Sequence, residues 1–176
     1  MTLKRITRLV ALASILFVQE ELLTFIPNVQ LTFFLVVLYA TTIPILDSTL
    51  IVLIHVLLDN LFMSSFNLYC MVPQFLGLII TIFLARLFKN KNEIVLSFVG
   101  VLGSIIYCWL YVLVNIWFLD VKFYDYLIAD IPFEIILAVS TFLSILFLYK
   151  PLYKLMNNLN GKYNIDTKKD ESHNFT

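Results

Sequence analysis

Glu20 and Glu21 stand side by side at the end of one apolar run, and His55 and Asp59 lie four residues apart inside another. A spacing of four puts two side chains on one face of a helix. Tyr107, Tyr111 and Asn115 repeat that spacing, with Trp109 between them, and so do Asp130 and Glu134. Asn28 and Gln30 fall in the turn that follows Pro27. Carboxylates and amides accept hydrogen bonds, and aromatic rings offer faces for stacking. The chemistry of this set is therefore recognition of a small molecule that carries donors and a flat ring. Glu20, Glu21, Asn28, Gln30, His55, Asp59, Tyr107, Trp109, Tyr111, Asn115 and Glu134 are the candidate contacts. Adjacent helix positions point about 100° apart, so only one of Glu20 and Glu21 is expected to face the ligand.

The same residues supply little for catalysis. Adjacent glutamates followed by His-x-x-x-Asp resemble parts of the CAAX-type intramembrane glutamic proteases, which use Glu-Glu-x-x-x-Arg and two histidine motifs. Here the Arg position is Phe25, and the second histidine, His173, lies in the polar C-terminal segment. Without a base and its orienting partners no water is activated, so no enzyme activity is expected. One histidine among the apolar runs does not make a histidine-based metal site. Cys70 and Cys108 show neither a Cys-x-x-Cys pair nor a metal-ligand rhythm and read as packing residues. No catalytic residue, metal or cofactor is assigned.

The elements that must position these groups follow from composition. Of 176 residues, 61% are apolar and 14% charged, and 12 basic residues balance 12 acidic ones. A water-soluble domain carries roughly a quarter of its residues as charges; a mean hydropathy of +0.92 places this chain in a bilayer. No nucleic-acid partner is expected. At about 20 residues per span, a twelve-helix carrier does not fit. No phosphate-binding Gly-x-x-x-x-Gly-Lys-Ser/Thr loop occurs, so energy for any transport must come from another protein.

Apolar runs are drawn from Ile6 to Ile26, Leu31 to Leu46, Ser48 to Phe66, Cys70 to Phe88, Ile94 to Leu119 and Ile131 to Met156. The fold class expected is an all-α membrane protein of six transmembrane helices. The weakest boundary is at Pro44, where a kinked single helix would leave five spans. Charge decides for six. With both termini cytoplasmic, eleven of the twelve Lys and Arg residues lie inside and only Lys122 outside, as the positive-inside rule requires. Lys4, Arg5 and Arg8 ahead of the first run also fit the start of a secretory signal, but no small-residue cleavage site follows, so a retained first helix is expected. The chain divides into one transmembrane domain, 1–156, and a polar cytoplasmic tail, 157–176.

Depth sorts the polar groups. Gln19, Glu20 and Glu21, then Asp59, Gln74, Asn115, Asp130 and Glu134, all fall toward the outer ends of their runs, with His55 near the middle of its own. An ionisable group near the bilayer centre costs about 2.5 to 3.5 kcal/mol, so each needs a partner, a wet cavity or a task. Two arrangements meet that need: a pocket open to the outside, or an interfacial belt of Trp117, Tyr124 and Tyr126 with acids reaching to the headgroups.

The segment from Val18 to Ala40, the Asp-Ile-Pro-Phe-Glu step from Asp130 to Glu134 and the Tyr-Lys-Pro-Leu end of the last run at Tyr149 to Met156 resemble the substrate-binding S components of energy-coupling factor (ECF) transporters. The Pro27 to Gln30 turn is most similar to cobalamin-type members. This resemblance, over about residues 4 to 156, implies a subunit that binds a vitamin-like micronutrient from outside. It would then join a membrane coupling subunit and two ATPase subunits and topple in the lipid bilayer to release its cargo inward. The small-x-x-x-small docking pair of that family is not matched, since Ile15 follows Ala11; Ala11 and Ser14 stand in for it. The His and Asn that often follow the Pro-Phe step are absent, with Leu137, Ala138, Ser140 and Thr141 there instead. The alternative is a scaffold similar to the rod-shape-determining MreD proteins, to which the Pro-Asn turn and Leu57 to Asp59 bear a looser likeness.

Overall fold

The computed structural model of the chain describes residues 3–27, 29–62, 68–119 and 122–162. Six helices follow one another: α1 (Leu3–Leu23), α2 (Thr32–Thr42), α3 (Ile45–Phe62), α4 (Leu68–Leu87), α5 (Glu93–Leu119) and α6 (Phe123–Lys162). The described residues contain no strand. Four helical stretches are long and apolar enough to cross a membrane: Ile45–Phe62, Leu68–Leu87, Glu93–Phe118 and Phe123–Gly161. Their outward faces carry residues such as Phe83, Phe98, Leu113 and Phe147, all more than half exposed. Lipid suits such faces and water does not.

The other two helices depart from a plain six-span plan. α1 has 21 residues, the length of a span, but is charged at both ends, by Lys4, Arg5 and Arg8 and by Glu20 and Glu21. α2 has only 11 residues, or about 16 Å of helix against a hydrocarbon core of about 30 Å. Its sequence, rich in aromatic and β-branched residues, is a poor helix former by itself. Packing on every side holds it instead: each residue from Thr32 to Ala40 is buried, and α2 touches all five other helices. A helix apolar all round belongs in an interior, and α2 is the axis of this bundle. α5 lies against both α4 and α6, and α1 packs mainly on α3.

The break at Pro44 is real. A residue before proline is pushed to extended backbone, and Ile43 sits at φ −127°, ψ 164° while its N–H still bonds Tyr39 O at 3.0 Å. Pro44 O then accepts from the N–H groups of Asp47 and Ser48, each at 3.0 Å, to open α3. The last helix is longer than the run drawn from Ile131 to Met156. It starts at Phe123 and continues to Lys162, so Pro132 lies inside it and residues 157–162, expected in the tail, are helical. The rest of that tail, with His173, lies outside the described residues.

Candidate ligand-binding site

Gln19 and Glu20, on the last turns of α1, organise the entry to α2. The first N–H groups of a helix lack internal acceptors, and a side chain from α1 meets one of them: Leu31 N donates to Gln19 Oε1 at 2.8 Å. The other end of the same amide donates to Thr32 Oγ1 at 2.8 Å. Thr32 Oγ1 in turn donates to Glu20 Oε2 at 3.1 Å, with Gln30 Oε1 at 3.3 Å as its other acceptor. His55 on α3 completes the cluster, its Nε2 standing 3.2 Å from Glu20 Oε2. The imidazole is 1% exposed, and its Nδ1 has no partner among the described residues. His55 thus holds the carboxylate from behind.

One turn along α3, Asp59 accepts from Gln74 Nε2 at 2.6 Å, and Asn60 donates to Gln74 Oε1 at 2.8 Å. This second cluster clamps α3 to α4. The His55 and Asp59 face is therefore spent on neighbouring helices rather than turned to an open space.

The open space lies on the far side of Glu20. A cavity of about 270 Å³ is lined by Glu20, Gln30, Tyr107, Cys108, Tyr111, Asn115, Tyr126, Asp130 and Leu137. Helix periodicity places the α5 wall, because Tyr107, Tyr111 and Asn115 succeed each other at intervals of four. Tyr111 is pinned by its hydroxyl donating to Cys70 O at 3.1 Å, and its ring lies 5.0 Å from that of Tyr107. Tyr107 meets Phe33 of α2 edge-on at 5.3 Å. Across the gap Asn115 Nδ2 donates to Tyr126 Oη at 2.6 Å, joining α5 to α6. Two carboxylates, Glu20 and Asp130, border the cavity, and no Lys or Arg does. Asp130 has no hydrogen bond or ion pair among the described residues. The lining is negative, aromatic and rich in acceptors.

Five of the eleven sequence candidates border this space: Glu20, Gln30, Tyr107, Tyr111 and Asn115. His55 and Asp59 stand behind it. Glu21 does not border it, as the 100° turn between neighbours requires. Trp109 is 46% exposed, and its Nε1 donates to Glu134 Oε1 at 3.2 Å on the outside of the bundle. Asn28 lies outside the described residues. Sequence reasoning missed Tyr126 and Leu137 as lining, and it put Asp130 on a pocket face without naming it as a contact, although Tyr126 and Asp130 are four apart and so share a face. Cys108, read as packing, packs against the core and also touches the cavity. Trp117 and Tyr124, at 90% and 74% exposure, face outward as a belt would. No group of three His, Cys, Asp or Glu among the described residues could hold a metal ion.

At the opposite end of the bundle a second polar cluster was not foreseen. Asp47, in the first turn of α3, is 1% exposed and receives Arg5 Nε at 2.8 Å and Arg8 Nη2 at 2.5 Å. Arg86 of α4 donates to Ile43 O. Asn160 of α6 donates to Thr42 O at 2.9 Å and accepts from Arg8 Nη1 at 3.4 Å. The docking candidates Ala11 and Ser14 are exposed on α1. The chain matches no known family model, no curated protein and no solved structure.

Proposed function

We propose that the chain is the substrate-binding membrane subunit of an ECF-type transporter. In this reading it spans the bilayer with both termini in the cytoplasm, captures a micronutrient from outside, and passes it inward with a separate coupling subunit and two ATPases. It binds without chemical change to the ligand. The observation that carries the reading is the cavity of about 270 Å³ among α1, α5 and α6, at the end of the bundle that the charge distribution assigns to the outer face.

The lining also narrows the ligand. Small-molecule sites commonly span about 300–1,000 Å³, so this one suits a compact molecule, and a corrin macrocycle with its nucleotide tail exceeds it severalfold. The cobalamin-type likeness is accordingly not carried into the proposal. Glu20 and Asp130 favour a ligand with positive charge or several N–H donors, and the rings of Tyr107, Tyr111 and Tyr126 favour a flat one.

A ligand that binds only the folded protein raises its stability by mass action, about 2.7 kcal/mol at a hundredfold excess over Kd. The test is thermal unfolding of the purified protein in detergent against water-soluble vitamins and their precursors. A compact, nitrogen-rich compound is expected to raise the midpoint, and Glu20→Gln or Asp130→Asn to abolish the rise. A flat response across the panel would count against the transporter reading and direct the search to protein partners, as a scaffold demands.

A further inference from the structure

A second cavity is larger than the one described above. A groove of about 530 Å³ runs between the first half of α1 and the last turns of α6. It exists because these two helices do not pack backbone to backbone; they are joined near their ends by the Arg8 to Asn160 hydrogen bond. Its walls are apolar, formed by Ala11, Leu12 and Ile15 on one side and Met156 and Leu159 on the other. Its other end carries the basic residues Lys4 and Arg8 with Thr7 and Asn160, beside the exposed Leu3.

The charge at that end is not neutralised among the described residues. Arg5 and Arg8 share the single carboxylate of Asp47. Lys4 has no ion pair or hydrogen bond among the described residues. Among the described residues, Lys4, Arg5 and Arg8 meet one carboxylate there, so this cluster carries two net positive charges beside the groove, of which Lys4 and Arg8 line it. Arg8 keeps a buried Nε–H without a partner among the described residues, although its two terminal nitrogens are engaged. Ile15 and Leu159 are 51% and 41% exposed, so the apolar stretch opens sideways, toward lipid once the helices are in a bilayer.

We propose that this groove is a binding site for an anionic phospholipid of the leaflet that faces the basic ends of α1 and α6. The phosphate sits at Lys4, in the positive field of the Arg8 guanidinium, and an acyl chain lies along Ala11, Ile15, Met156 and Leu159. Basic recesses between membrane helices bind acidic headgroups in this way. A free phosphate would use only the basic end and leave the apolar walls uncovered, which commits the site to a lipid. The inference depends on membrane insertion and not on the identity of the ligand in the other cavity.

Native mass spectrometry of the full chain, released from nanodiscs of mixed phosphatidylglycerol and phosphatidylcholine, tests it. The expected result is a retained phosphatidylglycerol adduct in clear excess over phosphatidylcholine. Lys4→Gln, which removes a charge that has no hydrogen bond or ion pair among the described residues, should lower that preference about fivefold, the equivalent of ~1 kcal/mol for one basic residue at a charged lipid surface. Ile15→Trp should fill the groove and remove the adduct, with thermal unfolding confirming that the variant is folded. Equal retention of the two lipids, or an adduct that survives Ile15→Trp, overturns the proposal. So does a second copy of this chain in place of lipid, lost in Ile15→Trp, which would assign the groove to self-association.

Discussion

Asp47 and Glu20 are both carboxylates held by side chains from a neighbouring helix, but they are held for different ends. Asp47 is enclosed by two guanidinium groups and leaves no edge for a ligand. Removing one partner of a buried ion pair typically costs about 3–5 kcal/mol, because the remaining charge is stranded. Asp47→Ala, which leaves Arg5 and Arg8 facing each other, should therefore unfold the protein more readily by that order. Arg5→Gln should cost ~1 kcal/mol or less, since the Arg5 side chain is 38% exposed and exposed pairs contribute little. Thermal unfolding of the two variants in one detergent checks the ranking; equal effects would show that Asp47 does not carry the joint. Glu20 keeps one oxygen edge toward the cavity while Thr32 and His55 hold the other. His55→Gln preserves a donor but not the buried ring, so it should lower the unfolding midpoint and also weaken ligand binding by misplacing Glu20, which titration well below that midpoint separates from unfolding.

At the scale of elements, the cavity depends on how closely α4 approaches α5. A Cβ added at Gly77 would stand 2.8 Å from Tyr107 Cδ2 and 3.0 Å from Tyr107 Cα. The second of these is backbone and has no rotamer to escape by, so the helices themselves would have to part. Gly77→Ala is expected to destabilise the protein by roughly 1–3 kcal/mol, the usual range for overpacking, and to weaken ligand binding by moving Tyr107. Gly161 is the control: nothing lies within 4 Å of an added Cβ there. Gly161→Ala should be neutral or slightly stabilising, since alanine favours helix by about 1 kcal/mol. Thermal unfolding with and without ligand separates the two. A Gly77→Ala variant as stable as the parent would mean that the α4–α5 contact is looser than its geometry indicates.

For the whole molecule, the distribution of Lys and Arg makes an orientation prediction. Reporter fusions at each end should both read as cytoplasmic, and a fusion in the α5–α6 connection, near Lys122, as external. Opposite locations for the two termini would leave an odd number of crossings and remove the assignment of the cavity to the outer face. The short α2 bears on this count. It is not long enough to cross by itself, so the path from the end of α1 to the start of α3 includes the turn ahead of α2 and the extended Ile43 after it.

The all-helical character and the four long apolar helices were legible in the sequence, because hydropathy acts locally and leaves its mark on the residues themselves, whereas proline alone left Pro44 open and the break there was read from the distribution of Lys and Arg. The α5 wall of Tyr107, Tyr111 and Asn115 was equally legible, since helical period alone aligns it. Choosing Glu20 over Glu21 was not, nor was setting His55 and Asp59 behind the cavity rather than in it. Those depend on how α1 and α3 are rotated against their neighbours, which is decided by side chains far apart in the chain. The same holds for Asp47, whose partners Arg5 and Arg8 lie about forty residues away, and for the groove between α1 and α6, which joins the two ends of the described chain. Periodicity determines which residues share a face, and only tertiary packing decides what that face meets.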